Sequence, residues 1–105
     1  MKRILPTMSS LQAFDAAARA ASFTAAAREL NLTQGAVSKQ ILALEDLVGV
    51  PLFVRTGHSV ELTPSGRAYA RDVRRILEST AAATLRVMTN PEGGVLELAV
   101  LPTFG

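Results

Sequence analysis

With 105 residues, 49% of them hydrophobic, and a formal net charge of +2, the chain has room for one small domain with a modest core, and no second, enzyme-sized domain fits. It has no cysteine, which excludes a disulfide framework and a thiolate zinc site and suits a reducing cytosol. The opening MKRILPTMSS is too short and too polar for a signal peptide, and no stretch approaches the apolar length of a membrane span, so a protein that works away from membranes is expected.

The charge is unevenly spread. Residues 1–75 hold ten Lys/Arg against six Asp/Glu, and residues 76–105 hold one against three, so +4 stands against −2. A basic first part is what a polyanion partner needs, and it is also common on an ordinary solvated surface.

In chain order, Pro6 to Ser10 reads as a loop, with Ser9 or Ser10 capping a helix through LQAFDAAARAA. Leu11, Phe14, Ala17, Ala18 and Ala21 fall on one apolar stripe, with Asp15 and Arg19 outside it. SFT interrupts this helix. Ser22 or Thr24 offers a new N-cap, Phe23 a core anchor, and Ala26, Ala27 and Leu30 face inward in a short second helix. Asn31 tolerates the left-handed conformation and can end that helix with a sharp turn. A third helix starts at the Thr33 cap, turns Val37, Ile41, Leu44 and Val48 inward, and stops at Gly49 and Pro51. The opposite face of its first turns carries Gln34, Gly35, Ser38 and Lys39.

Two short helices joined by a tight turn, the second beginning with small polar groups, make a helix-turn-helix. A DNA major groove, about 12 Å wide, admits such a helix, and its first residues reach base edges only if nothing bulky holds the backbone away. In that reading Gln34 pairs with adenine, Lys39 with guanine or a phosphate, and Ser38 with either kind of base. The same residues also describe a well-capped, solvated helix start.

PLFVRTGHSVELT then changes to a period of two. Leu52 and Phe53 precede Val54, residues 55–59 form a polar turn, and Val60 and Leu62 alternate with Ser59, Glu61 and Thr63, which predicts a two-stranded hairpin. Placed directly after the third helix, the hairpin is a wing. Arg55 and His58, at or near its tip, would lie beside the DNA backbone or in the minor groove, although a lone histidine is also an ordinary surface residue.

Thr63 as cap and Pro64 at the first helical position open a long helix running to about Thr89. Tyr69, Val73, Ile76, Thr80, Ala83 and Val87 repeat along it as a heptad seam, flanked by Leu77, Thr84 and Met88. A domain this small is not expected to cover that seam, so a second copy would, giving a homodimer for dimerisation through this helix; the alternative is that the helix packs back on its own domain. The alanines at 81–83 suit close helix approach but bury little area. NPEGG reads as a hinge, and VLELAVLPTFG as a buried strand that needs neighbours from a further domain. The expected organisation is therefore mainly α: a winged helix-turn-helix over 1–63, a linker helix over 64–90, and over 91–105 a hinge with the first strand of another domain.

The pair SFTAAARELNLTQGAVSKQI…ALE and GVPLFVRT…ELTPSG resembles the N-terminal DNA-binding domain of LysR-type transcriptional regulators over nearly all of residues 7–90. The closing LELAVLPTF is similar to the subgroup that includes the glycine-cleavage activator and the β-lactamase regulator. The resemblance implies a cytoplasmic regulator that binds partly palindromic double-stranded DNA as a homodimer, or as a tetramer in the full-length protein. It also implies a small-molecule effector held by a C-terminal domain, with no cofactor in the present residues. Carried over by position, Gln34, Gly35, Ser38 and Lys39 match the base-reading turn, and Thr24, Thr33, Gln40, Arg55 and Thr63 match positions that approach phosphates. Gly35 stands where the family often has proline or another side chain, and His58 near where arginine is common.

No enzyme is expected. There is one histidine, and neither a glycine-rich phosphate loop nor a paired-carboxylate pattern. The rival class is a winged helix used only for protein contacts, which would bind every DNA sequence alike.

Overall fold

A computed structural model describes residues 4–57 and 59–90. Its elements run α1 (Met8–Ala20), α2 (Phe23–Leu30), α3 (Gln34–Val48), β1 (Phe53–Thr56), β2 (Ser59–Leu62) and α4 (Pro64–Thr89), a mainly α winged helix-turn-helix with a long following helix. His58 and the expected hinge and strand over 91–105 lie outside the described residues. The chain divides into two compact units, Met1–Arg74 and Arg75–Gly105, so about the first three turns of α4 belong with α1 to β2.

Every helix starts on a hydroxyl that accepts a backbone N–H three residues on. Thr7 takes that of Ser10 at 3.1 Å, Ser22 that of Ala25 at 3.0 Å, Thr33 that of Ala36 at 3.1 Å and Thr63 that of Gly66 at 2.9 Å. Each such cap contributes about 1 kcal/mol. The first one corrects the expected start. Thr7, with its extended backbone, is the cap in place of Ser9 or Ser10, and α1 begins at Met8 inside the expected loop. Ser10 lies one turn in, buried, with its hydroxyl donating to the Thr7 carbonyl. Periodicity locates a helix but does not choose among neighbouring hydroxyls. The helices end on left-handed residues, Ala21, Asn31 and Gly49, as expected for the last two.

The core joins Ala13, Ala16, Ala17, Phe23, Ala26, Ala27, Val37, Ile41 and Val60, with Leu30 and Phe53 packed against it. Its many alanines let α1, α2 and α3 approach closely. The expected α1 stripe needs three corrections. Ala18 is only half-buried, Ala21 is exposed because it is the left-handed cap, and Asp15 is buried. A buried carboxylate needs partners, and Asp15 has two: Arg19 Nε at 3.1 Å and, from α4, Arg74 Nε at 3.5 Å. The Arg19 guanidinium also donates to both oxygens of Glu29 on α2. That contact raises Arg19 above the usual arginine value and holds the Glu29 carboxyl below the usual carboxylate range. The Glu29 contribution is thus present at neutral pH and lost as pH falls through its lowered pKa. On α3, Val37, Ile41 and Leu44 are buried as expected, but Val48 is exposed, because the packing beneath the helix ends one turn before the helix does.

The hairpin pairs Phe53 with Leu62, Val54 with Glu61, Arg55 with Val60 and Thr56 with Ser59. Arg55 and Ser59 are therefore strand residues and not part of a five-residue turn. The ladder closes at Thr56 and Ser59, and Gly57 takes φ +65°, which suits a tight two-residue turn. By strand alternation Phe53, Arg55, Val60 and Leu62 share the inner face.

Within the first unit, Val73 of α4 is fully buried and half-buried Tyr69 stands 5.5 Å from the Phe14 ring, its hydroxyl pKa raised by burial. These two seam positions thus face their own domain, and the outward run of the seam begins at Ile76. From Arg75 onward the described helix shows Ile76, Leu85, Val87 and Met88 at its surface. Thr80, Thr84 and Thr89 donate their hydroxyls to the carbonyls of Ile76, Thr80 and Leu85 at 2.8, 2.8 and 2.9 Å.

Gly66 ties the start of α4 to the segment before the wing. A Cβ there would stand 2.1 Å from the Leu52 carbonyl oxygen and 3.1 Å from Leu62 Cδ2. Because the first obstacle is backbone, Gly66→Ala should destabilise the domain by about 1–3 kcal/mol. A lower urea midpoint at unchanged slope is the expected readout.

Candidate nucleic-acid interface

The turn between α2 and α3 is three residues long, and Asn31 at φ 62° is what makes it so short. The Leu32 N–H bonds back to the Ala27 carbonyl at 2.9 Å, which locks the exit from α2. Thr33 then caps α3. With Val37, Ile41 and Leu44 buried, the other side of α3's first turns is turned outward. Gln34, Gly35 and Lys39 are exposed there and Ser38 is half-buried. Lys39 has no hydrogen bond or ion pair among the described residues, which leaves its ammonium available to a partner.

Gln40 does not join this edge. At roughly 100° per residue it falls on the opposite flank of α3. There it lines a shallow groove of about 280 Å³ with Leu5, Pro6, Thr7, Ser10, Ala43, Leu44 and Leu47.

The hydroxyls separate by where their single proton goes. A phosphate oxygen can only accept, so a hydroxyl must have its proton free to bind one. Thr63 donates to the Pro51 carbonyl at 2.9 Å while accepting from Gly66, so its proton is used inside the fold. Thr24 donates to Gln34 Oε1 at 3.3 Å. Among the described residues Thr33 only accepts, from the Ala36 N–H, which leaves its proton for an outside acceptor.

Arg55 reaches the same region from the wing. Its guanidinium carbon lies 5.3 Å from the centroid of the Phe23 ring, a cation–π contact worth about 0.5–1 kcal/mol at an exposed site. Phe23 is in turn held edge-on against Phe53 at 5.3 Å. The arginine is thus drawn from the wing toward the start of α2, beside Thr24. Sequence reasoning missed the Phe23–Arg55 contact, though a signal existed: Arg55 is two residues from inward Phe53, and a period of two puts both on one face. His58 lies outside the described residues, so its expected groove contact has no geometry here.

Among the described residues no helix is long and apolar enough to cross a membrane, and no cluster of three His, Cys, Asp or Glu could hold a metal ion.

The model for the bacterial regulatory helix-turn-helix proteins of the lysR family matches residues 8–67. The glycine cleavage system transcriptional activator of Escherichia coli (strain K12) is 43% identical over 104 residues, covering 99% of this chain and 34% of that protein. Its homolog in Haemophilus influenzae is 46% identical over 105 residues, covering 100% of this chain and 35% of that protein. The chain therefore spans about a third of the length of the curated relatives it matches. Among solved structures, the DNA-binding domain of CbnR in complex with DNA is similar at a TM-score of 0.75 and 35% identity, covering 82% of this chain and 99% of that one.

Whether Gly35 serves the fold or the surface can be measured. A Cβ there would find only Thr33 Oγ1, at 4.0 Å, so alanine meets ordinary contact distance. Gly35→Ala should therefore raise unfolding stability by up to about 1 kcal/mol through helix propensity alone. A fall in stability would show that the first turn of α3 has no room for a side chain.

Proposed function

Because the chain belongs to the LysR family of bacterial regulatory helix-turn-helix proteins, we propose that residues 1–63 are the DNA-reading domain of a transcriptional regulator. The observation that carries this is the division of α3 into two sides. Val37, Ile41 and Leu44 are buried, while Gln34, Gly35 and Lys39 stand outward with no bulky apolar side chain among them. In this reading the start of α3 enters the major groove, where Gln34, Ser38 and Lys39 meet base edges and Gly35 lets the backbone come close. Arg55, fixed over Phe23, meets the DNA backbone beside the groove, and Thr33 offers its free hydroxyl proton to a phosphate. The likeness to a domain solved on DNA supports this docking.

The remaining proposals concern the longer protein. Its relatives are roughly three times as long, which leaves room for a C-terminal domain that binds a small-molecule effector. The outward run Ile76, Thr80, Ala83 and Val87 of α4 is the surface for a homodimer on a partly palindromic site, and dimers could pair into a tetramer. The protein works in the cytoplasm, where its DNA is, and catalyses no reaction. Identity to two glycine cleavage activators favours that subgroup.

Two experiments test this. Fluorescence anisotropy at two salt concentrations, on a duplex selected from a random pool and on its scrambled version, should show a preference of roughly 10³-fold or more. Lys39→Ala should reduce that preference, whereas Arg55→Ala should weaken both duplexes about equally and flatten the salt slope by about one. Equal binding to both duplexes by the unaltered chain would leave only a protein-contact module. Separately, Ile76→Asp should convert a dimer into a monomer by light scattering; a dimer that survives it uses another surface.

A further inference from the structure

Gln34 is the first side chain that α3 turns outward, and its amide oxygen is turned back toward α2. Thr24, ten residues earlier on α2, donates its hydroxyl to Gln34 Oε1 at 3.3 Å, and both side chains are exposed. Thr24 is well fixed. The Ser22 cap holds the Ala25 N–H at 3.0 Å, and neighbouring Phe23 is buried edge-on against Phe53. A glutamine amide has an acceptor arm, Oε1, and a donor arm, Nε2. With the acceptor arm turned back to α2, the arm left for an outside partner is the donor.

Base edges in the major groove distinguish these arms. Adenine presents an acceptor, N7, beside a donor, N6, and bidentate pairing with it needs both arms of the amide aimed at the base. Guanine presents two acceptors, N7 and O6, and satisfies a donor arm alone. A donor arm alone finds one acceptor on adenine, N7, with the N6 amino donor beside it, whereas both guanine atoms accept.

We propose that Thr24 is a specificity-determining residue that acts through Gln34: by holding Oε1 it presents Nε2 to the groove and makes Gln34 prefer guanine to adenine. This rests on the DNA-reading function proposed above. It also reverses the adenine pairing that the residue type alone suggests, and it gives Thr24 a role other than a phosphate contact.

The test uses the full chain and a random duplex pool, followed by competition anisotropy on single-base variants of the selected duplex. Gln34→Ala identifies the base pair read by Gln34 as the one whose preference flattens. At that pair the unaltered chain should favour guanine over adenine. Thr24→Val, which keeps the shape and removes the hydroxyl, should shift the ratio toward adenine by about tenfold, the scale of one bidentate contact. Thr24→Ser, which restores the hydroxyl, should keep the original preference. Matching thermal melts of the variants show that the shift is not a folding effect.

A uniform loss of affinity in Thr24→Val, with the ratio unchanged, would overturn the proposal and leave Thr24 a backbone contact. So would an adenine preference in the unaltered chain. If Gln34→Ala flattens no position while the chain still selects a sequence, the proposal fails and the DNA-reading function stands. If the unaltered chain selects no sequence at all, it is that function which fails.

Discussion

A row of four aromatic rings sets the geometry on which everything else depends. Phe14, fully buried on α1, stands 5.5 Å from both Tyr69 of α4 and Phe53 of β1, and Phe53 stands 5.3 Å from Phe23 of α2. Three of the four elements it joins carry parts of the candidate interface or lead away from it. Each ring pair contributes about 0.5–1.5 kcal/mol beyond its buried area, but the larger effect is positional. The row ends under the Arg55 guanidinium, so the place of the wing's arginine is set by the core and not by the tip of the hairpin. The alanines of α1 and α2 make this possible, because only small neighbours leave room for four rings in a domain of this size.

Around that row, charge is used in two different ways. Arg19 and Arg74 neutralise buried Asp15, and Glu29 takes the rest of Arg19, so these charges clip α1, α2 and α4 together. Lys39 and Arg55 are left to the surface formed by α3 and the wing. Part of the positive charge is thus answered inside the fold, while Lys39 and Arg55 stay exposed.

The long helix is divided in the same sense. Its first turns are part of the first unit, through Val73, Tyr69 and the close approach of Gly66 to Leu52. Beyond Arg75 the threonines turn their hydroxyls onto the helix's own carbonyls, so those protons are used within the helix.

Much of this was legible in the chain itself. The four helices, the hairpin, the Asn31 turn, the Thr33 and Thr63 caps and the outward set on α3 follow from local rules: a cap acts within three residues and periodicity within a few turns, so neither needs the rest of the molecule. Where several local solutions were equivalent, as among Thr7, Ser9 and Ser10, the residues alone could not choose. Only the tertiary structure decided that Asp15 is buried, that Tyr69 and Val73 face inward, and that Arg55 lies over Phe23 and Thr24 beside Gln34. Each of these depends on which element packs against which, and a partner ten, thirty or sixty residues away leaves no mark in the periodicity of either segment.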